Sequence, residues 1–170
     1  VSWRVRRYGY SHVLVQDYQN PDDYWHTMVV AGDSLWQNYT LQARFTPLSM
    51  ADRTGVAFHC QNDRNYYFFG VDGNEIQLVK VHHGESDGQL KEILLDSREL
   101  DYTPGEELVA SITIDNGRIT GNVNGRVTLD ASDQTYQSGH IGLTSDTPVK
   151  YNRVRVLTSQ REKQRYESRV

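Results

Sequence analysis

The chain has 170 residues, of which 37% are hydrophobic and 11% aromatic, a composition typical of one folded domain rather than a disordered chain. Its 18 lysines and arginines stand against 22 acidic residues, and the net charge of −4 argues against general binding to nucleic acid. No apolar run approaches the ~18 residues of a membrane span. The single cysteine, Cys60, excludes an internal disulfide and is interpreted as a small buried hydrophobe.

Short segments that alternate apolar with polar residues follow one another along almost the whole sequence. This period of two places successive side chains on opposite faces of a strand. The early segments show the alternation more weakly than those after residue 38. In chain order, the predicted strands are residues 3–6, 13–16, 25–30, 39–45, 55–61, 66–71, 75–82, 108–114, 118–123, 126–129, 140–144 and 149–157.

Three turn sequences separate these segments and predict tight hairpins. They are Asp72-Gly73-Asn74, Asn116-Gly117 and Asn124-Gly125, which supply the positive φ angles that such turns require. No amphipathic helix lies between the strands, so a β-α-β architecture is excluded. The sequence therefore predicts an all-β fold, a two-sheet antiparallel β-sandwich of the jelly-roll type. It would span residues 1–157, followed by a polar tail at 158–170 that is a solvated helix or a linker.

The alternation also predicts which side chains are buried. Along residues 39–45 the apolar side chains share one face, and residues 55–61 repeat the pattern with Val56, Phe58 and Cys60 on one side. In a sandwich such faces pack against the opposite sheet. The residues expected in the core are Phe45, Val56, Phe58, Val71, Leu78, Ile112, Ile114 and Leu143.

The polar faces of the same strands form the candidate ligand surface. Amide, guanidinium and imidazole groups hydrogen-bond to hydroxyls in defined directions, and an arginine favours a carboxylate-bearing sugar. The opposing interpretation is that these faces are polar only because water covers them. If the strands lie side by side, one groove would gather the predicted ligand-binding residues Gln42, Arg44, His59, Gln61, Tyr67 and Gln77.

Motifs in a fixed order along residues 3–157 resemble the concanavalin A-like lectin/glucanase superfamily, with closest similarity to laminin-G-like jelly rolls of bacterial polysaccharide-processing proteins. The resemblance implies a β-sandwich but not one function, because that fold carries binding modules and enzymes alike. The residues that carry it are Trp36-x-x-Tyr39-x-Leu41-x-Ala43-x-Phe45, Gly55-Val56-Ala57-Phe58, Asn65-Tyr66-Tyr67-Phe68-Phe69-Gly70-Val71, Gly117-Arg118-Ile119-x-Gly121-x-Val123-Asn124-Gly125, Asp133, Ser138-Gly139-x-Ile141-Gly142-Leu143 and Tyr151-Asn152-x-Val154-x-Val156.

The resemblance implies a carbohydrate-binding domain, an accessory module of a larger extracellular or periplasmic polysaccharide-processing protein with a neighbouring catalytic domain or chain. It also implies a structural calcium site, for which Asp17, Asp22 and Asn152 are candidates. Relatives commonly carry aspartate where Asn152 stands and begin with a strand ahead of their first tryptophan, whereas Trp3 lies almost at the start of this sequence. Calcium takes six to eight oxygen ligands, often from loops.

Two other functions stay open. A lyase of this fold, acting on an anionic glycan, would use His59 and Tyr67 as base and acid, with Arg44 or Gln61 neutralising a sugar carboxylate. A structural accessory domain would only pack on a catalytic partner. Retaining glycosidase chemistry is disfavoured, because the sequence lacks the paired-carboxylate spacing that it requires. If the predicted groove is only a solvated face, the ligand site is expected in the loops around residues 22–25 and 52–53.

Overall fold

The computed structural model describes residues 3–8, 11–21, 26–83 and 90–169. Within these residues the chain forms thirteen strands and one helix, and all strand pairs are antiparallel. The elements are β1 Trp3–Tyr8, β2 Ser11–Gln16, β3 Met28–Ala31, β4 Tyr39–Pro47, β5 Thr54–Asn62, β6 Asn65–Asp72, β7 Glu75–His83, β8 Leu90–Glu99, β9 Leu108–Asp115, β10 Arg118–Val123, β11 Val127–Ser132, β12 His140–Ser145, β13 Val149–Leu157 and α1 Gln160–Glu167.

Two sheets form the sandwich that the sequence predicts. The seven-stranded sheet has the order β1-β2-β13-β4-β9-β10-β11, and the six-stranded sheet has the order β3-β12-β5-β6-β7-β8. Strands β4 and β5 follow one another in the chain but lie in different sheets, as jelly-roll connections require. The three predicted hairpins are present, with positive φ at Asn116, Gly117, Asn124 and Gly125.

The main core lies between the sheets and confirms the predicted faces. Phe45, Phe58 and Leu78 are completely buried, as is the rest of the predicted core except Leu143. Leu143 is only partly buried and packs at the margin of this core, because β12 lies next to the edge strand β3.

Strand β8 is an element that the sequence analysis did not predict. It forms the edge of the six-stranded sheet, and most of its residues are exposed, so it has no alternating apolar face. Its apolar residues Ile93, Leu94 and Leu95 are consecutive, and a register shift opposite Leu78 and Val79 interrupts the period of two.

The polar tail contains the helix α1, capped at its start by the Ser159 side chain, which accepts a hydrogen bond from the Glu162 amide. No residue of the helix is buried, in keeping with its lack of an apolar stripe. It contacts the sandwich through polar groups: Tyr166 donates to Asp33 at 3.0 Å, and Asn38 donates to Glu162 at 3.4 Å.

Candidate functional site

The six predicted ligand residues do not share one groove. Gln42 and Arg44 lie on β4 in the seven-stranded sheet, whereas His59, Gln61, Tyr67 and Gln77 lie in the six-stranded sheet. The expectation was wrong because it treated β4 and β5, neighbours in the chain, as neighbours in one sheet. On the outer surface of the seven-stranded sheet, Arg155 donates to Gln42 at 2.7 Å and Arg44 pairs with Glu107 at 3.2 Å.

His59 also departs from the predicted face. The alternation grouped it with Ala57 and Gln61, but His59 has φ of 46° and lies where the β5–β6 register shifts after Phe58. This bulge turns its ring toward Tyr39, Phe58 and Tyr67, between the sheets. The sequence could not reveal the bulge, because a period of two carries no sign of an inserted residue.

The surroundings of His59 do not suit a general base. Its Nδ1 lies 2.9 Å from the Tyr136 carbonyl oxygen, and its Nε2 lies 2.6 Å from that of Gln37. Burial lowers the pKa of His59, although both carbonyl oxygens favour the charged ring. Both ring nitrogens therefore contact backbone acceptors, and neither is left to take a proton from a substrate. Since Arg44 is in the other sheet, the predicted lyase group is not assembled.

Tyr67 is completely buried between the sheets, because it lies opposite Phe58 on the neighbouring strand. Its hydroxyl donates to Asp133 at 2.5 Å, and Lys80 donates to the other oxygen of the same carboxylate at 2.8 Å. Burial opposes the charge of Asp133, but Lys80 and Tyr67 lower its pKa. This network lines a cavity of about 160 Å³ at one end of the sandwich, which we call the end pocket.

Replacing Tyr67 by phenylalanine should lower the free energy of unfolding by about 1.5–3 kcal/mol, because a buried hydrogen bond to a charged group is lost. Tyr166→Phe removes the same type of contact, to Asp33, at a partly exposed site, and should cost less than about 1 kcal/mol. Urea unfolding of both variants measures the difference. If the two variants lost equal stability, the buried hydrogen bond from Tyr67 to Asp133 would contribute no more than the partly exposed one from Tyr166 to Asp33.

The two predicted glutamines of the six-stranded sheet have different positions. Gln61, exposed near the end of β5, donates to the Ser138 carbonyl oxygen at 2.5 Å. Gln77 lies opposite Gly70, so it points to the outer face of the sheet, away from the core, and it donates to Glu75 at 3.0 Å. Of the six predicted ligand residues, Gln77 is therefore the one that reaches this outer face.

The calcium candidates are engaged with different partners. Asp17 pairs with Arg4 and Arg6 of β1, and Asn152 donates to Glu107 at 3.3 Å. Asp22 lies outside the described residues. Among the residues that the structure describes, no group of three His, Cys, Asp or Glu side chains could hold a metal ion. Asp17 and Asn152 thus do not fit the multi-oxygen site that calcium needs, and calcium binding stays a prediction.

The outer face of the six-stranded sheet carries a second apolar cluster. Its members alternate along β5, β6 and β7 with residues of the main core, and Met28 and Leu90 pack against them. They are buried although they point away from the core, so other groups cover them. The members of this cluster are Ala57, Cys60, Tyr66, Phe68, Val79 and Val81.

Charged side chains lie across this cluster. The Arg53 guanidinium lies 4.8 Å from the centre of the Phe68 ring and donates to both oxygens of Glu92, at 2.9 and 2.6 Å. Arg53 is 5% exposed, whereas the side chain of Glu92 is 34% exposed. A two-point contact of this kind fixes both groups in one plane, and Glu92 connects the buried arginine with solvent.

His26 extends this network to a second carboxylate. Its Nε2 lies 2.8 Å from Glu92, and its Nδ1 contacts Asp146, which is 1% exposed. Burial works against charge on the ring, but the contacts to Asp146 and Glu92 raise the pKa of His26 to about 9. Burial likewise opposes charge on Glu92, yet His26 and Arg53 lower its pKa to about 2. We call Arg53, Glu92, His26 and Asp146 the charged cluster; it brings together two basic side chains and two carboxyl groups.

Beside the charged cluster lies the buried hydroxyl of Tyr66, for which no hydrogen-bond partner is found among the residues that the structure describes. Burial raises the pKa of Tyr66, so the group stays protonated and can donate. A buried polar group that forms no hydrogen bond costs about 1–3 kcal/mol, and native structures leave few of them. The Tyr66 hydroxyl is therefore a buried donor beside the charged cluster that the described residues leave unsatisfied.

The sequence analysis missed most of this cluster. Its members come from four separate segments, and Glu92 stands on the strand that was not predicted. The alternative ligand site that the sequence analysis placed in the loops did include Arg53, at residues 52–53. The pattern that could have indicated it is a pair of charged residues directly before a strongly predicted strand. Nothing in the spacing of His26 and Asp146, 120 residues apart, connects them.

No helix among the described residues is long and apolar enough to cross a membrane.

The family model described as the 3-keto-alpha-glucoside-1,2-lyase-like domain matches residues 26–157, a range that includes all four members of the charged cluster. No curated protein matches the sequence.

Solved structures share the fold at low sequence identity. The carbohydrate binding module CBM66 from Bacillus subtilis has a TM-score of 0.70 at 14% identity, over 93% of this chain and 96% of that chain. The galectin LEC-6 from Caenorhabditis elegans has a TM-score of 0.56 at 14% identity, over 83% and 95% of the chains. The GH43 protein BlXynB from Bacillus licheniformis has a TM-score of 0.62 at 13% identity, over 93% of this chain but 35% of that one. These similarities confirm the fold of the concanavalin A-like lectin/glucanase superfamily.

Proposed function

Because the chain belongs to the 3-keto-alpha-glucoside-1,2-lyase-like domain family, we propose that it binds a carbohydrate on the outer face of its six-stranded sheet, at the charged cluster. The observation that carries this proposal is the buried Tyr66 hydroxyl beside Arg53 and Glu92, for which the described residues supply no hydrogen-bond partner. A protein gains nothing in stability by burying an unsatisfied donor, so such a group calls for a partner, and a bound ligand is one way to supply it.

The chemistry of the charged cluster suits sugar hydroxyls. Glu92 reaches solvent and offers carboxylate oxygens as acceptors, while Arg53 and protonated His26 hold it in place from behind. The charges of the cluster balance, so its immediate surroundings favour a neutral glycan over a strongly anionic one. A sugar hydroxyl can donate to Glu92 and accept from a neighbouring donor at once, which a simple anion or cation cannot do.

The comparisons support this proposal without deciding it. A carbohydrate binding module and galectins share the fold, although identities of about 14% say nothing about which residues bind a ligand. We further propose that the domain works beside a catalytic domain in an extracellular or periplasmic polysaccharide-processing protein. The GH43 protein supports this, because the similar region is only 35% of that chain.

Lyase chemistry is the second candidate, favoured by the description of the family. The charged cluster supplies a protonated imidazole, His26, as a proton donor and an arginine to stabilise negative charge. It is poorer in bases: the pKa of Glu92 is about 2, too low for efficient removal of a proton from carbon near neutral pH. This weakness makes binding the better-supported function. A lyase would release an unsaturated sugar that absorbs in the near ultraviolet.

The proposal is tested by screening the chain on a glycan array and titrating the best neutral glycan calorimetrically. Glu92→Gln should weaken binding about tenfold or more, because a hydrogen bond from a sugar hydroxyl to a charged carboxylate is replaced by one to a neutral amide. Glu107→Gln is the matched control, since Glu107 pairs with Arg44 on the other sheet and should leave affinity unchanged. Binding that is insensitive to Glu92→Gln in a folded variant, or no bound glycan at all, would contradict the proposal.

A further inference from the structure

The end pocket is a cavity that lies apart from the charged cluster. It lies between the two sheets at one end of the sandwich, whereas the charged cluster lies on the outer face of the six-stranded sheet. Its walls come from the segment before β4, the β9–β10 turn and the loop after β11, and Tyr67, Ile114 and Ile119 form its apolar part. At roughly 30 Å³ per water molecule, a volume of about 160 Å³ corresponds to a few waters or one small ring.

Carboxamide side chains surround the mouth of this pocket. Five of them come from three segments that are distant in the sequence, and each can both donate and accept. Contact with water does not explain why five carboxamides gather here, because serine, lysine or glutamate side chains would be solvated equally well. The five are Gln37, Asn38, Asn116, Gln134 and Gln137.

Hydrogen bonds hold some of these carboxamides in place. The Asn38 side chain donates to the Asn116 side chain at 3.4 Å, and the backbone N–H of Asn116 donates to the Asn38 side chain at 2.9 Å. Glu162 of helix α1 accepts from Asn38, so the helix fixes one wall. A Cβ on Gly117 would lie 2.5 Å from Gln134, which shows how closely the turn and the loop meet. A preformed arrangement of this kind lowers the entropic cost of binding.

The pocket carries no unpaired charge. Asp133 is neutralised by Lys80 at 2.8 Å, and its remaining contacts come from Tyr67 and Thr135. Burial lowers the pKa of His59, and both of its ring nitrogens contact backbone carbonyl oxygens. An anionic or cationic ligand would find no counter-charge here, whereas a neutral polyol would find paired donors and acceptors above the apolar side chains.

We infer that the end pocket is a binding site for one neutral sugar residue, distinct from the site proposed on the outer face. The apolar floor faces the C–H groups of the ring, and the carboxamides bind its hydroxyls. Two sites of this kind would let the domain bind a terminal sugar and an internal stretch of glycan independently.

The test is a titration of the isotope-labelled chain with glucose, galactose, mannose, xylose and, as the charged comparison, glucuronate, followed by backbone amide chemical shifts. We expect saturable shifts at residues 37–38, 116–117 and 134–137 with at least one neutral sugar. Gln134→Ala and Gln37→Ala, on opposite walls, should each weaken this binding about tenfold. Gln42→Ala removes the same amide from the outer surface of the other sheet and should have no effect.

The outcomes separate the two sites. Glu92→Gln should leave the affinity of the end pocket for the monosaccharide unchanged. A result that contradicts glycan binding at the charged cluster would therefore not contradict sugar binding in the end pocket. The inference is overturned if no neutral sugar shifts these residues, if glucuronate binds more tightly than every neutral sugar, or if both glutamine variants bind as the parent does while retaining its melting temperature.

Discussion

Replacing Phe58 by alanine should lower the free energy of unfolding by about 3–5 kcal/mol, through lost transfer energy and the cavity left behind. Phe58 is completely buried in the main core, and its ring stacks on Tyr67 at a centroid distance of 5.3 Å. The adjacent bulge of β5 is held by contacts of the His59 ring with the backbone carbonyl oxygens of Tyr136 and Gln37, so little relaxation is expected.

Denaturant unfolding with the parent, Phe58→Ala and the control Leu157→Ala measures this effect. Leu157 is 44% exposed at the end of β13, and its substitution should change stability by no more than about 0.5 kcal/mol. A loss below about 1 kcal/mol for Phe58→Ala would mean that the sheet interface is not where the structure places it.

Raising the pH through 9 should destabilise the protein by on the order of 3 kcal/mol, at about 1.4 kcal/mol per pKa unit. The pKa of His26 rises from 6.5 in the unfolded chain to about 9 in the folded one, because Asp146 and Glu92 outweigh the effect of burial. Protonated His26 therefore stabilises the fold fully below about pH 6.5, and this contribution disappears as the pH rises through 9. Two groups near it with shifted pKa values do not change charge in this window: the pKa of Glu92 is lowered to about 2, and burial raises that of Tyr66.

The measurement is the free energy of unfolding from pH 6 to 10 for the parent and for His26→Gln. Subtracting the two curves removes the contribution of all other titrating groups, including the surface histidines. The parent should lose stability relative to the variant across this range. Parallel curves would show that His26 is not held in its charged form by Asp146 and Glu92.

The sheet architecture was predictable because its causes are local. Alternation along β4 to β7 reports which face is buried, and Asn-Gly turns report hairpins, so the class of fold and the core around Phe58 follow from short windows of sequence. Strand β8 escaped prediction because it is an exposed edge strand, where no apolar face is required and the bulge opposite Leu78 and Val79 disturbs the period.

The candidate sites were less predictable because their causes are not local. The bulge at His59 moves one imidazole from the outer face to the interior, and a period of two cannot reveal it. The crossing from β4 to β5 separates Arg44 from His59, although only fourteen positions lie between them in sequence. The pairing of His26 with Asp146 depends on β3 and β12 being neighbours, which is a property of the whole topology.

The central claim, that a carbohydrate binds on the outer face of the six-stranded sheet, is tested most directly by mapping where a glycan contacts the chain. The measurement is the change in backbone and side-chain chemical shifts during titration with the tightest glycan from an array. We predict that the largest changes fall on Arg53, Tyr66, Phe68 and Glu92, with the Tyr66 hydroxyl proton newly protected from exchange. Changes confined to the outer surface of the seven-stranded sheet, around Gln42 and Arg44, with none at the charged cluster, would contradict the claim.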